Sequence, residues 1–183
     1  MRKVTRAEIV DYQTYNDQRE QVRRRVMEVK RPRRILVGDC LNFLFENTET
    51  IRYQVQEMMR AERIVRDSDI QHELDTYNDL LGDERELGCT LLIEIDDPET
   101  RARRLKEWLT LPEHLYIRTS EGDVVRASYD RTQIGEDRLS SVQYLKFKIP
   151  SGEPLAVGVD HPLLAAETLL SDEQRAALVE DLG

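Results

Sequence analysis

The sequence predicts an α+β fold, with a mainly antiparallel sheet, helices packed on one face, and a helix at each end of the chain. Three observations carry this. Helical periodicity and strand-like alternation both occur, but not in the regular βα succession of a doubly wound fold. Strand-like segments crowd the second half and are joined by hairpin-sized links. Helical segments open and close the chain. The 183 residues suit a single domain over 1–183, with an N-terminal helical segment over 1–31 and a C-terminal helix over 171–183.

Thr5-Arg6-Ala7-Glu8 has the form of a capping box, so a helix is expected to start there and to break around 14–16. Val22, Val26 and Val29 form a stripe over 17–30, and Pro32 stops that helix. Ile35-Leu36-Val37 and 41–45 flank Gly38-Asp39 and read as two short strands, with Leu41, Phe43 and Phe45 on one face. Asn47 or Thr48 caps a helix over 49–65, whose apolar stripe is expected to run Ile51, Val55, Met58, Glu62, Val65. Asp67-Ser68 caps a helix over 69–81 that Gly82-Asp83 ends. Strict alternation over 87–95 marks the clearest strand, and Asp97-Pro98 opens a helix reaching about 109. Strands follow at 115–119 and 124–129 around Glu121-Gly122-Asp123, then at 142–149 and 155–159. Ser171-Asp172-Glu173 caps the final helix.

The net charge of −9 is unevenly spread. Residues 1–34 hold eleven Lys or Arg against five Asp or Glu, leaving −15 on the remainder. An acidic body repels nucleic acid, and the basic segment from Arg23 to Arg34 lacks aromatics for base stacking, so nucleic acid is disfavoured as a partner. No apolar run approaches the roughly 20 residues of a membrane helix, and the N-terminus lacks the apolar core of a signal peptide, which points to the cytoplasm and away from the membrane. Cys40 and Cys89 have neither zinc-site nor redox spacing and read as reduced thiols. The signatures of phosphate loops, dinucleotide folds, serine hydrolases and zincins are absent.

Glu62 is the oddest residue on this reading, because a carboxylate on an apolar stripe must be paired, hydrogen-bonded or protonated. Either it belongs to a polar pocket with Glu57, Arg60 and Arg63, or it is a structural acid or faces water at a frayed helix end. Asp69 and His72 have the spacing of one half of a carboxylate-bridged iron site, but no second pair exists, and no metal site is expected. Asp160-His161-Pro162 follows a strand; adjacent side chains diverge, so a turn is the plainer reading than a catalytic pair.

Several stretches resemble a bacterial family of unknown function, domain-of-unknown-function family 3501. They are Leu44-Phe45-Glu46-Asn47, Ile51-Arg52-Tyr53-Gln54-Val55-Gln56-Glu57-Met58-Met59-Arg60-Ala61-Glu62-Arg63-Ile64, Ile70-Gln71-His72-Glu73-Leu74, Thr90-Leu91-Leu92-Ile93-Glu94 and Gly158-Val159-Asp160-His161-Pro162. The resemblance adds Glu46 and Asn47 to the candidates, giving Glu46, Asn47, Glu57, Arg60, Glu62, Arg63, Asp160 and His161. It implies a genomic setting beside a rubrerythrin-like protein and an iron–sulfur oxidoreductase. From that setting follow an accessory role in an iron-dependent redox or oxidative-stress system and those two proteins as partners to look for; the absent metal motifs add that it carries no cofactor of its own, and a second copy of the chain is a separate candidate partner. The alternative is a small-molecule-binding domain or enzyme, with Glu57 and Glu62 as acid or base and Arg60 and Arg63 holding an anion.

Overall fold

In the computed structural model, which describes residues 1–183, eight strands form two four-stranded antiparallel sheets. The first has the order β1-β2-β3-β6: β1 is Arg34–Val37, β2 Leu41–Phe45, β3 Glu86–Ile93 and β6 Val142–Lys148. The second has the order β5-β4-β7-β8: β4 is Leu115–Thr119, β5 Val124–Arg126, β7 Pro154–His161 and β8 Leu164–Leu169. The sheets touch along two seams. Ser128 and Lys146 exchange backbone bonds of 2.8 Å, and the Thr168 hydroxyl donates to the Leu36 carbonyl at 2.7 Å. The strands therefore wrap around one core.

Alternation builds that core. Ile35, Phe43 and Leu91 are cross-strand partners on the inner face, as are Phe45, Cys89 and Leu145 on a neighbouring rung. Leu115, Ile117, Val157 and Val159 answer from the opposite sheet. Each such side chain removed from water contributes roughly 1.5–3 kcal/mol. Two helices close the ends. α4 (Pro98–Glu107) and the turn after it send in Leu105, Trp108 and Leu111, and α5 (Asp172–Leu182) sends in Leu178 and Leu182.

Three helices cover the outer face of the first sheet: α1 (Tyr12–Lys30), α2 (Thr48–Glu62) and α3 (Asp67–Asn78). They hold a second, smaller core of Val4, Ile9, Ile51, Val55, Met59, Ile70, Leu74 and Leu81. The α+β class with antiparallel pairing and terminal helices is as expected, with the strands divided between two sheets.

Four local expectations are corrected. The capping box at Thr5 opens only a single 3-10 turn, Arg6–Glu8. The chain stays extended there because Gln56 grips the Val10 backbone at both N–H and C=O, and α1 then starts at its own cap, Asp11, and runs unbroken through 14–16. Helix α2 ends at Glu62 because Arg63 adopts a left-handed conformation (φ 54°) and the Ile64 N–H reaches back to the Met59 carbonyl. Its buried stripe is Ile51, Val55 and Met59, so Val65 is 70% exposed. α3 starts two residues early, with Asp67 in its first turn rather than at a cap. Strand β8 has no counterpart among the expected elements.

The basic segment is drawn onto the acidic body. Arg25 binds Glu49, Arg31 binds Glu173, and Arg33 binds Asp181.

Candidate functional site

Of the four α2 candidates, Arg60 and Arg63 line one concavity with Tyr12, Gln13, Asn16 and Asp17, and Glu57 is held against α1. Glu57 accepts the Tyr15 hydroxyl at 2.6 Å and a fork from Arg19 at 2.7 and 2.9 Å, which ties α2 to α1. Burial opposes its charge, but these donors outweigh burial and hold the Glu57 carboxyl below its ordinary range. Arg60 leans on the same carboxylate at 3.8 Å. Glu62 and Arg63 are exposed. Glu62 therefore needs no buried partner: it is the last residue of α2 and lies open to solvent.

Glu46 and Asn47 lie elsewhere, where β2 passes into α2. Asn47 caps α2, its side chain accepting from the Thr50 N–H while the Thr50 hydroxyl accepts from the Asn47 N–H. Glu46 is only 7% exposed. Its two carboxylate oxygens each take one hydroxyl, from Thr50 on α2 and from Thr90 on β3 at 2.7 Å. No Lys, Arg or His forms an ion pair with it; the N-terminal end of α2, where the helix dipole is positive, is the nearest fixed compensation.

This carboxylate lines a cleft between the helical layer and the outer face of the first sheet. The inner lobe holds about 260 Å³. Its walls are Leu44, Thr90, Leu92, Val142 and Tyr144 from the strands, with Ile51, Tyr77 and Leu80 from the helical side. Lys30, the last residue of α1, and Arg34 also line it. The Lys30 ammonium lies 5.1 Å from the centre of the Tyr53 ring. Burial pulls it below its ordinary pKa, with Arg34 adding to the effect, while Glu46 and Glu57 pull it back. A second lobe of about 450 Å³ adjoins across Leu80 and Tyr144, floored by Leu145 and Lys146 and rimmed by Tyr129, Asp130 and Gln133. Tyr144, 45% exposed, stands where the lobes meet. Its backbone is fixed at both ends by one side chain: the Gln133 amide donates to its carbonyl at 3.0 Å and accepts its N–H at 2.8 Å. Gln133 thereby closes the open edge of β6.

Lys30, Thr90, Tyr77 and Tyr144 are site residues that the sequence reading missed. One signal was available. The outward faces of β3 and β6 carry Leu92, Val142 and Tyr144, an apolar surface that must be covered or used.

Asp160 and His161 form a separate group on the second sheet. They diverge, as adjacent strand residues do. His161 turns inward, where its Nδ1 accepts the Leu163 N–H and its Nε2 meets the Thr110 hydroxyl, each at 3.2 Å. Burial and nearby His114 push its pKa down. Asp160 turns outward to a fork from Arg126 at 2.6 and 2.8 Å and to His114 Nδ1 at 3.2 Å. These bonds bring its pKa down to about 2. Glu8, gripped by Arg2 and by the Thr5 N–H, also falls to about 2. Both values lie below those of an unfolded chain, so both carboxylates stabilise the fold above roughly pH 4–5 and lose that effect as pH falls toward 2. Urea unfolding between pH 5 and 2 is expected to show a falling midpoint, and Asp160→Asn to flatten part of the fall. An unchanged slope in that variant would remove Asp160 from the account.

Nowhere do three His, Cys, Asp or Glu side chains converge closely enough to hold a metal ion. No helix is long and apolar enough to cross a membrane.

The model of the family described as "Protein of unknown function (DUF3501)" matches residues 3–182. The chain belongs to this family. A crystal structure of a protein of unknown function from Burkholderia pseudomallei shares the fold, with a TM-score of 0.92 and 28% identity over 100% of both chains. No curated protein matches. The family match spans every residue of the cleft, from Lys30 to Lys146.

Proposed function

We propose that this DUF3501 protein is a cytoplasmic accessory of an iron-dependent redox or oxidative-stress module, acting by binding rather than by catalysis, with the two-lobed cleft as its working site. The observation that carries the binding reading is the cleft itself. A concave, largely apolar surface with a few charged groups at its floor is the usual form of a small-molecule site, and here it joins residues from α1, α2, α3, β2, β3 and β6. The accessory reading draws on the genomic setting that family resemblance implies. The candidate partners are the rubrerythrin-like protein and the iron–sulfur oxidoreductase.

Two measurements test this. The amphipathic dye 1-anilinonaphthalene-8-sulfonate should gain fluorescence on the folded protein, and Leu80→Arg with Tyr144→Ala should remove most of the gain while the fold stays intact. A dye signal equal in wild type and variant would move the binding site elsewhere. Co-expression with the neighbouring genes, followed by native mass spectrometry, should show a mixed complex. Separate masses under all conditions would remove the accessory role.

A further inference from the structure

The charges at the floor of the inner lobe suggest what its ligand carries. Buried charged side chains are nearly always paired with an opposite charge. Here two opposite charges line one small cavity, and neither is so paired. Glu46, only 7% exposed, receives two neutral hydroxyls and no cation. Lys30 is half-buried and has only the face of Tyr53 for company, with no carboxylate within ion-pair distance. The two line the same cavity and yet form no salt bridge. Arg34, an exposed side chain on the same lining, adds a second cation that makes no salt bridge.

We propose that the inner lobe binds a zwitterionic small molecule of amino-acid type, its ammonium on Glu46 and its anionic group on Lys30 and Arg34. This rests on the binding reading above and narrows it to a ligand class. A purely anionic ligand would satisfy Lys30 and Arg34 but leave Glu46 without a cation and add a like charge near it. A purely cationic one would satisfy Glu46 and crowd the two basic groups. A molecule carrying both charges a few bonds apart satisfies all three residues. The apolar part of the ligand then lies along Leu44, Leu92 and Val142 and passes Tyr144 toward the second lobe. An aromatic or long aliphatic side chain matches those walls, since the second lobe is lined by Leu80, Tyr129, Tyr144 and Leu145.

The test compares three probes of one shape by titration calorimetry: phenylalanine, 3-phenylpropionate, which lacks the ammonium, and 2-phenylethylamine, which lacks the carboxylate. Phenylalanine is expected to bind at least about tenfold more tightly than either, the usual scale for one added charge-assisted hydrogen bond. Glu46→Gln should erase the advantage over 3-phenylpropionate. Lys30→Met should cut the advantage over 2-phenylethylamine, leaving only what Arg34 supplies. If Glu46→Gln proves unstable, the Lys30→Met variant and the wild-type ranking still decide. Binding of 3-phenylpropionate as tight as that of phenylalanine would overturn the zwitterion and leave an anion site in its place. If the dye binds in the cleft and none of the three probes does, the zwitterion also falls and the binding reading stands. If neither dye nor probe binds, both fall together.

Discussion

Replacing Gly88 by alanine is expected to cost the fold about 3 kcal/mol or more. Gly88 faces outward on β3, beneath the turn that leads out of α3. A Cβ added there would sit 1.7 Å from the Leu80 carbonyl oxygen and 3.2 Å from the Gly82 nitrogen. The reciprocal position is as tight, since a Cβ on Gly82 would come within 1.9 Å of the Glu86 carbonyl oxygen. Both obstacles are backbone, so no side chain can rotate away. β3 cannot move either, because it is paired on both sides, to β2 and to β6. Overpacking costs roughly 1–3 kcal/mol when side chains can adjust. Here the turn itself must lift, which places the loss at or beyond the upper end. For a chain of this length that is a fall in melting temperature of about 6–12 °C. The cleft suffers too. Leu80 forms part of both lobes, and the Glu46 N–H is bound to the Gly88 carbonyl at 2.9 Å. Urea unfolding and dye binding should therefore fail together in Gly88→Ala. A loss below 1 kcal/mol would mean that the turn rides loosely on the strand, and the fixed wall assigned to the cleft would go with it.

Why some of this was legible in the sequence, and some was not, follows from how local each signal is. Leu41, Phe43 and Phe45 alternate within five residues, and their inward face could be read directly. The caps at Asn47 and Ser171 are set by side chains bonding within three positions of themselves. The end of α2 was illegible because Arg63 takes the left-handed conformation that glycine usually marks. Of the readings open for Glu62, the structure gives the water-facing one at the helix end, and the buried stripe runs through Met59 rather than Met58. β8 is a run of Leu, Ala, Ala, Glu, Thr and Leu, rich in good helix formers. It is a strand only because the turn after His161 folds it back on β7, so tertiary pairing overrides its propensity. The cleft was the least legible feature. Its lining joins Lys30, Glu46, Thr90 and Tyr144, four residues spread over more than half the chain. Glu46 became a candidate by resemblance to a family. Its chemical interest, a carboxylate buried without a cation, appears only when Thr50 and Thr90 close over it.

The second large effect is expected at the junction of α1, β1 and α5. Arg33 and Asp181 are 6% and 8% exposed and are joined by two bonds, Nε to Oδ2 at 2.7 Å and Nη2 to Oδ1 at 3.0 Å. Arg33 also donates to the Val29 carbonyl at 3.0 Å. Burial pushes the Asp181 carboxyl up, with nearby Glu180 adding to it, and the Arg33 fork pulls it back. Such a pair gains little over an apolar replacement, yet breaking it leaves a buried charge with no partner. Asp181→Ala is therefore expected to cost about 3–5 kcal/mol. Glu180 offers only partial relief: it stands 3.4 Å from the same guanidinium, but its side chain is largely exposed. Replacing both partners by apolar residues, Arg33→Met with Asp181→Leu, should recover most of the loss. The place of the pair in the fold explains why the single change matters. The helix that carries Asp181 also carries Leu178 and Leu182, which close one end of the central core. Losing its polar anchor loosens the helix and admits water to that end. A double-mutant cycle by urea unfolding separates the two origins of the loss. If the double variant is as unstable as Asp181→Ala, packing of α5 rather than the orphaned Arg33 charge sets the cost, and the buried pair is not what anchors the helix.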